Sequence, residues 1–565
     1  MNYLQKAQLW KDYKDLDPIL REELEQMNDK ELKEAFTHDI SFGTGGLRGI
    51  LGAGTAYMNY YTVRKATLGF GRYLEKYEGA HEQGVVIAHD NRRYSKEFAL
   101  DTAKVFATMG FKVYLFEDLR PTPELSYAVR YLNAIGGVMI TASHNPKEYN
   151  GYKIYDEYGC QLVPHLADMV IEEISKIDDY FSIDNTKNHE LITYVGKEID
   201  EHYRATVNTI RINCDIESNF KVVYTPLHGT GQVFAADVLK ENGFDCYPVM
   251  SQMTNDPNFS GVKTSNPENP QAFDEAIEYA KEIGAKMVLA TDPDADRLGM
   301  GVLHDGEFIL LNGNQSATIM VDYICSQLKA KGQLPENGWV YSTNVSGSLP
   351  LKIAEGYGLS TYTSLTGFKF IGEQAHKAKQ NGAVYLYGYE ESYGCLIKDF
   401  VRDKDAIQAI LMICEIEAWC ETQGMDLIDY LNQIYEREGY FYESQENIYL
   451  RGLEGKALIG RIMEEFRTGE INLKFGDIIK KEDNLLQIRY EYEKDRILTS
   501  TIDLPKSNVL KYFINDESWF VLRPSGTEPK LKVYFSTVGR DHDDAIAKND
   551  KLRAEVMKLI EKITN

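Results

Sequence analysis

The chain has 565 residues, 43% of them hydrophobic and 26% charged, and carries a formal net charge of -24. Its length exceeds what one hydrophobic core supports and predicts three to five domains at roughly 100–200 residues each. The acidity excludes a broad nucleic-acid interface, so an anionic ligand would have to be met by cations gathered locally.

The opening residues, "MNYLQK", lead into a polar helical pattern and not into the apolar core of a signal peptide. No run approaches the ~20 apolar residues that span a bilayer. The seven cysteines are scattered and lack CxxC spacing, which argues against a zinc site or a disulfide framework. A cytoplasmic protein is expected, without membrane or nucleic-acid partners.

Residues 1–40 read as one or two amphipathic helices. Val63, Ala66, Phe70, Tyr73, Leu74 and Tyr77 then fall at helical spacing. The strand "VVIA" (85–88) ends in "HDNRR" and is followed by a helix carrying Phe98, Val105 and Met109. The strand "KVYLF" (112–116), a helix over about 123–133 and the strand "GGVMI" (136–140) complete the series, which ends in "TASHNP" (141–146). Alternating strands and helices predict a mainly parallel sheet with right-handed crossovers.

The rhythm recurs twice. "KVVYTPLHGTG" and "KMVLATDPDADR" frame a second unit; "WVYSTNVSG", "TSLTGFKFIG" and "AVYLYGYEES", with a long helix from about Asp405, frame a third. Each unit carries an unusual polar loop just after a strand, where ligands bind in open α/β sheets. Residues 441–565 alternate differently and read as a separate α+β domain. The expected fold is therefore α/β: three related domains with mainly parallel mixed sheets, plus a C-terminal α+β domain. The predicted boundaries are 1–205, 206–312, 313–440 and 441–565.

Asp292, Asp294 and Asp296 in "TDPDADR" place three carboxylates at a spacing of two, suited to one hard cation. An EF-hand fails, because the sixth position is Arg297 and the twelfth Leu303. With only three protein ligands, the ion keeps room for a phosphate oxygen or water, which suits magnesium; the alternative is a solvated acidic turn. "RPSGTEPK" (523–530) offers a guanidinium, hydroxyls and successive amides for phosphate, or else a tight β-turn. "FGTGGLRG" (42–49) is a weak anion-binding signal that a flexible turn explains equally well. "GYEESYG" (388–394) holds acids that could bind sugar hydroxyls or merely start a helix.

Ser143 in "TASHNP" admits three readings. A hydrolase nucleophile would need an elbow such as GxSxG, and adjacent His144 would usually point away from it. A helix-capping hydroxyl is the second. A phosphorylated serine beside a divalent cation is the third, and it uses the acidic loop and the phosphate cradle together.

In this order and spacing, "FGTGGLRG", "TASHNP", "DPDADR", "TGFK" with "GYEES", and "RPSGTEPK" make the chain resemble the α-D-phosphohexomutases, the phosphoglucomutase/phosphomannomutase superfamily. It looks most like the long subgroup containing bacterial phosphoglucomutases and phosphopentomutases. The resemblance implies four domains around a central cleft. It also implies an intramolecular phosphotransferase acting on sugar phosphates as a monomer or homodimer. Ser143 would be the phosphoserine and would bind one Mg²⁺ per active site with Asp292, Asp294 and Asp296. Arg48 and Lys153 would flank the transferring phosphate, with Lys153 and His144 as candidate proton carriers. Arg297, Lys369, Glu390 and Ser392 would contact the sugar; Arg523, Ser525, Gly526 and Thr527 would hold the other phosphate. The loop "GYEES" is closer to the glucose-type "GEES" pattern than to the "GEMSGH" of dual-specificity phosphomannomutases. Interconversion of glucose 1-phosphate and glucose 6-phosphate through glucose 1,6-bisphosphate is thus expected, with pentose or mannose phosphates as alternatives.

Overall fold

The computed structural model describes residues 1–43, 46–450, 452–494, 496–525 and 530–564. They fold into two compact units, Met1–Gly313 with Phe368–Asp426 and Asn314–Gly367 with Leu427–Asn565.

The first unit begins with three helices, Tyr3–Asp12, Pro18–Gln26 and Asp29–Phe36, where one or two were expected. Capping residues make the breaks. The Asp17 carboxylate accepts from the amides of Ile19 and Leu20 just before Pro18, and Asn28 with Glu31 forms a capping box. The helices pack around Trp10, whose ring makes edge contacts with Phe36, Tyr61 and Phe181.

A six-stranded sheet follows, in the order Gly46–Ile50, Tyr149–Asp156, Gly136–Ile140, Val85–His89, Val113–Phe116, Ile192–Val195. The last four strands run parallel, and Tyr149–Asp156 is antiparallel to both its neighbours. Helices cover both faces, so successive residues of one strand enter different cores. Val85 and Ile87 join Phe70 and Phe106, whereas Val86 and Ala88 join Leu125 and Val129. That is why the strand reads as an unbroken apolar run.

A five-stranded sheet repeats the scheme in the order Glu307–Leu311, Leu298–His304, Met287–Thr291, Lys221–Thr225, Asp245–Pro248. The last three strands are parallel, and Leu298–His304 is antiparallel to Met287–Thr291. The strand Val384–Tyr389, antiparallel to Cys395–Leu396, and the buried helix Ala406–Thr422 complete this unit. "TASHNP", "DPDADR" and "EESYG" thus occupy one topological position three times, the connection from a strand to its antiparallel neighbour.

The second unit contains the parallel strands Gly338–Thr343 and Ser360–Ser364 and a seven-stranded antiparallel sheet. The sheet order is Tyr440–Tyr449, Lys530–Gly539, Trp519–Pro524, Leu510–Ile514, Ile478–Asp483, Ile488–Glu493, Arg496–Thr501. Helices Gly452–Thr468 and His542–Thr564 supply Ile462, Phe466, Leu552 and Val556 to its core against Leu522 and Val533.

Candidate active site

Ser143 is 3% exposed and adopts φ 51°, a left-handed conformation uncommon for a non-glycine residue. Its surroundings enforce it. The Ser143 amide donates to Thr141 Oγ1 at 2.8 Å, and the Arg92 guanidinium donates to the carbonyls of Asn145 at 2.6 Å and Pro146 at 2.9 Å. Arg92 also donates to the Ser143 carbonyl. A Cβ at Gly151 would lie 2.3 Å from the Thr141 carbonyl oxygen, so the antiparallel strand closes directly over the loop.

The Ser143 hydroxyl donates to Asp292 Oδ2 at 2.7 Å. It also lies 3.3 Å from His144 Nδ1, contrary to the expectation that the imidazole points away. An extended chain sends adjacent side chains to opposite sides; the left-handed turn at Ser143 brings these two together. The capping alternative fails because a strand, Tyr149–Asp156, follows the loop.

Asp292, Asp294 and Asp296 are all buried, and each offers an oxygen within 4.8 Å of the others. Ala295, at φ 52°, turns the acidic loop so that its carboxylates converge. Asp292 Oδ1 accepts from the amides of Asp296 at 3.2 Å and Arg297 at 3.1 Å. Asp294 Oδ2 accepts from Thr122 Oγ1 at 2.8 Å and Lys153 Nζ at 2.7 Å. Lys404 lies 3.1 Å from Asp296 Oδ2. Among the described residues, Asp294 Oδ1 and Asp296 Oδ1 are buried without a hydrogen-bond partner. Two orphaned carboxylate oxygens beside a third acid form a hard-oxygen donor set, so the residues fit a divalent cation.

The charges are strongly interdependent. Burial and the neighbouring Asp294 and Asp296 push the Asp292 carboxyl well up. Burial opposes ionisation of Asp294 too, but Lys153 outweighs it and holds that group far below the usual carboxylate range. Burial alone would lower the Lys153 ammonium; Asp294 and Asp296 reverse that and keep it protonated. Burial, Arg297 and Arg48 press the His144 imidazole well down, so it is neutral at pH 7.

Arg48 lies in the strand Gly46–Ile50, paired with Gly151, and donates to Asn145 Oδ1 at 3.1 Å. "FGTGGLRG" therefore ends in a strand, and of its glycine turn residues 44–45 lie outside the described residues. Arg297 pairs with Glu268 and bridges by backbone to Gly394. Glu390 is buried, and its amide donates to the Gly394 carbonyl at 2.9 Å across the loop that holds Ser392. Lys369 is buried in the helix Phe368–Gln380, and burial lowers its ammonium to about 8. In the second unit Arg523 pairs with Lys532 across the hairpin, and the Ser525 amide donates to the Lys530 carbonyl at 2.7 Å. Gly526 and Thr527 lie outside the described residues.

Sequence reasoning missed Thr122, Arg92 and Lys404. The charged strings "HDNRR" and "VRDKDA" were the available signals for the last two.

Comparison with known proteins shows the family. The sequence matches the phosphoglucomutase/phosphomannomutase alpha/beta/alpha domain I over residues 39–181, domain II over 200–305 and domain III over 312–437. It matches the C-terminal domain of the same family over 470–549. The chain belongs to the phosphoglucomutase/phosphomannomutase family. Among its curated relatives, a phosphoglucomutase of Staphylococcus aureus is 37% identical over 94% of this chain and 96% of its own length. One of Staphylococcus epidermidis is 39% identical over 95% and 97%. Among solved structures, the family fold is shared with Paramecium pp63/parafusin, a phosphoglucomutase in open form. It has a TM-score of 0.67 and 18% identity, over 92% of this chain and 95% of that one.

Proposed function

We propose that the chain is a Mg²⁺-dependent α-phosphoglucomutase. It would interconvert α-D-glucose 1-phosphate and glucose 6-phosphate through phosphorylated Ser143 and glucose 1,6-bisphosphate. The observation that carries this reading is the Ser143 hydroxyl on Asp292, at the mouth of a buried acidic triad that Lys153 and Lys404 only partly neutralise. Two curated relatives with this activity in their names, aligned along nearly the whole chain, support it.

Asp292, Asp294, Asp296 and the Ser143 oxygen would hold Mg²⁺, which when bound supplies positive charge to the phosphoryl oxygens. Phosphoryl transfer has a loose, charged transition state, so the protein contributes mainly position and electrostatics. The bond from phosphorus to Ser143 Oγ breaks as the free sugar hydroxyl forms a new phosphorus–oxygen bond. Lys153, held protonated, stabilises the departing serine oxygen. Neutral His144 takes the proton from the attacking hydroxyl. The bisphosphate then presents its other phosphoryl group, and Ser143 recovers it by the reverse step. Arg48 neutralises the transferring group; Arg297, Lys369, Glu390 and Ser392 bind the sugar. Arg523, Ser525, Gly526 and Thr527 are assigned to phosphate binding.

The proposal includes the four-domain division 1–205, 206–312, 313–440 and 441–565, supported by four consecutive family matches. It also includes a cytoplasmic location. Among the described residues no helix is long and apolar enough to cross a membrane, and all seven cysteines are free.

A substrate panel tests the assignment: kcat/KM on glucose 1-phosphate against ribose 1-phosphate and mannose 1-phosphate, with glucose 1,6-bisphosphate and Mg²⁺ present. The glucose substrate should lead, and a clear pentose or mannose preference would overturn the glucose assignment.

A further inference from the structure

The first unit holds a cavity of about 540 Å³ whose wall includes Arg130, Arg402, Lys379, His376, Tyr158 and Glu157. It sits at the end of the six-stranded sheet opposite the Ser143 loop. Its wall also includes Asn133 and Ala134, which precede the strand Gly136–Ile140, and the far end of that strand leads to Ser143. The five residues of that strand alone span about 17 Å between the two ends. The volume falls in the ~300–1,000 Å³ range of small-molecule sites.

The cavity has more positive charge than its acids neutralise. Arg402 is only 2% exposed, and among the described residues its Nε has no hydrogen-bond partner. Its Nη1 donates to the Val401 carbonyl at 3.1 Å and lies 3.3 Å from Asp399 Oδ2. That carboxylate is shared with Lys379 at 2.9 Å. Arg130 donates to the Asp399 backbone carbonyl at 3.0 Å. Burial and the Arg402 charge bring the Arg130 guanidinium down to about 10, and His376 is lowered by burial, Arg402 and Arg130. Among the described residues, Glu157 is the single carboxylate on the wall itself. Tyr158 stacks on His376 with ring centroids 3.9 Å apart, giving one flat face beside the guanidinium groups. An anion in the cavity would meet the Arg130 and Arg402 guanidinium groups and the Lys379 ammonium, which together exceed the charge of the one carboxylate beside them.

We propose that this cavity binds a small phosphate monoester and that its occupant alters turnover at Ser143. The two arginines supply planar donors for a dianion, and the Tyr158–His376 face covers the remainder of the ligand. The route to the reaction centre is short. Arg402 is followed by Asp403 and Lys404, and Lys404 Nζ lies 3.1 Å from both Asp403 Oδ1 and Asp296 Oδ2. The Arg402 amide is anchored on Ser126 Oγ at 2.9 Å. Tyr155, on the strand that carries Lys153, donates to Asp403 Oδ2 at 2.9 Å. Fixing the Arg402 guanidinium therefore fixes the segment that delivers Lys404 to the acidic triad.

Equilibrium dialysis of the full chain against glycerol 3-phosphate, in metal-free buffer of constant ionic strength, tests the binding. The wild type should bind one equivalent more than Arg130→Gln or Tyr158→Glu. Both substitutions lie outside the catalytic machinery and should leave basal turnover within about twofold. Tyr158 is 43% exposed, so its variant folds even if the more buried arginine does not tolerate change. At saturating glucose 1-phosphate the probe should change kcat at least twofold in the wild type and in neither variant. Equal stoichiometry in wild type and both variants would overturn the site, and an unaltered kcat would overturn its link to Ser143.

Discussion

The Ser143 hydroxyl and Asp292 Oδ2, 2.7 Å apart, join two loops from different sheets. Each loop follows a fully buried parallel strand and turns back through one left-handed non-glycine residue, Ser143 at φ 51° and Ala295 at φ 52°. Such conformations cost on the order of 1–3 kcal/mol and persist where the surroundings over-determine them. Here they place a nucleophile and a metal-type donor set face to face.

Removing the nucleophile should separate chemistry from folding. Ser143→Ala is expected to lose isomerase activity by on the order of 10⁴-fold or more, because no other group can carry the phosphoryl. Only the hydroxyl's contacts with Asp292 and His144 are lost, so Tm should move by a few degrees at most. Coupled-assay kinetics beside thermal melts check both. Retention of a tenth of wild-type activity would contradict the role given to Ser143.

Lys153 is the buried counter-charge of Asp294, at 2.7 Å, and of Asp296, at 3.6 Å. In Lys153→Met the carboxylates lose that partner, a change typically worth about 3–5 kcal/mol. Added Mg²⁺ should then raise Tm more in the variant than in the wild type, since the divalent ion restores the missing charge. kcat should stay low even with Mg²⁺, because no ammonium faces the departing oxygen. Equal Mg²⁺ responses in the two proteins would show that the lysine and the cation do not share these carboxylates.

Among the described residues, Asp294 Oδ1 and Asp296 Oδ1 are buried carboxylate oxygens of the triad with no hydrogen-bond partner. Chelation with EDTA should abolish turnover reversibly. Mg²⁺ should raise the wild-type Tm according to its occupancy, and Asp296→Asn should weaken that rise by at least tenfold in Mg²⁺ concentration. A Mg²⁺ dependence of Tm that Asp296→Asn leaves unchanged would move the metal elsewhere.

Asp405 caps the helix Ala406–Thr422 and accepts from the Tyr203 hydroxyl at 2.9 Å. Burial raises its carboxyl to about 6, above the ~3.9 of an exposed aspartate. The native state therefore binds this proton more tightly than the unfolded chain. The resulting stability is fully present below about pH 4 and is lost as pH rises through about 6. Asp405→Asn keeps the cap but cannot ionise. Between about pH 5 and pH 7 the variant should gain about 1 kcal/mol on the wild type in denaturant melts. A constant difference across that interval would remove Asp405 from the pH dependence.

The three α/β units were legible because strands buried on both faces read as short apolar runs, each ending in a polar loop. "GGVMI" before "TASHNP" and "KMVLAT" before "DPDADR" are such runs. The triad was legible because its three acids sit in one loop. What stayed hidden depended on backbone conformation or on distant segments. The side on which His144 lies follows from the φ of Ser143, which residue type does not announce. Lys404 reaches Asp296, and Arg92 the loop carbonyls, only once separate strands are assembled. The third amino-terminal helix turned on local caps at Asp17 and Asn28 within a stretch whose polar periodicity ran on unbroken.

The central claim is that Ser143 itself carries the phosphoryl group. Intact-mass and peptide analysis after brief exposure to glucose 1,6-bisphosphate measures this directly. One phosphoryl group should appear on the peptide containing Ser143 in the wild type, disappear on addition of excess glucose 6-phosphate, and be absent from Ser143→Ala. A turning-over enzyme with no phosphoryl on Ser143, or with the same increment in Ser143→Ala, would contradict the account.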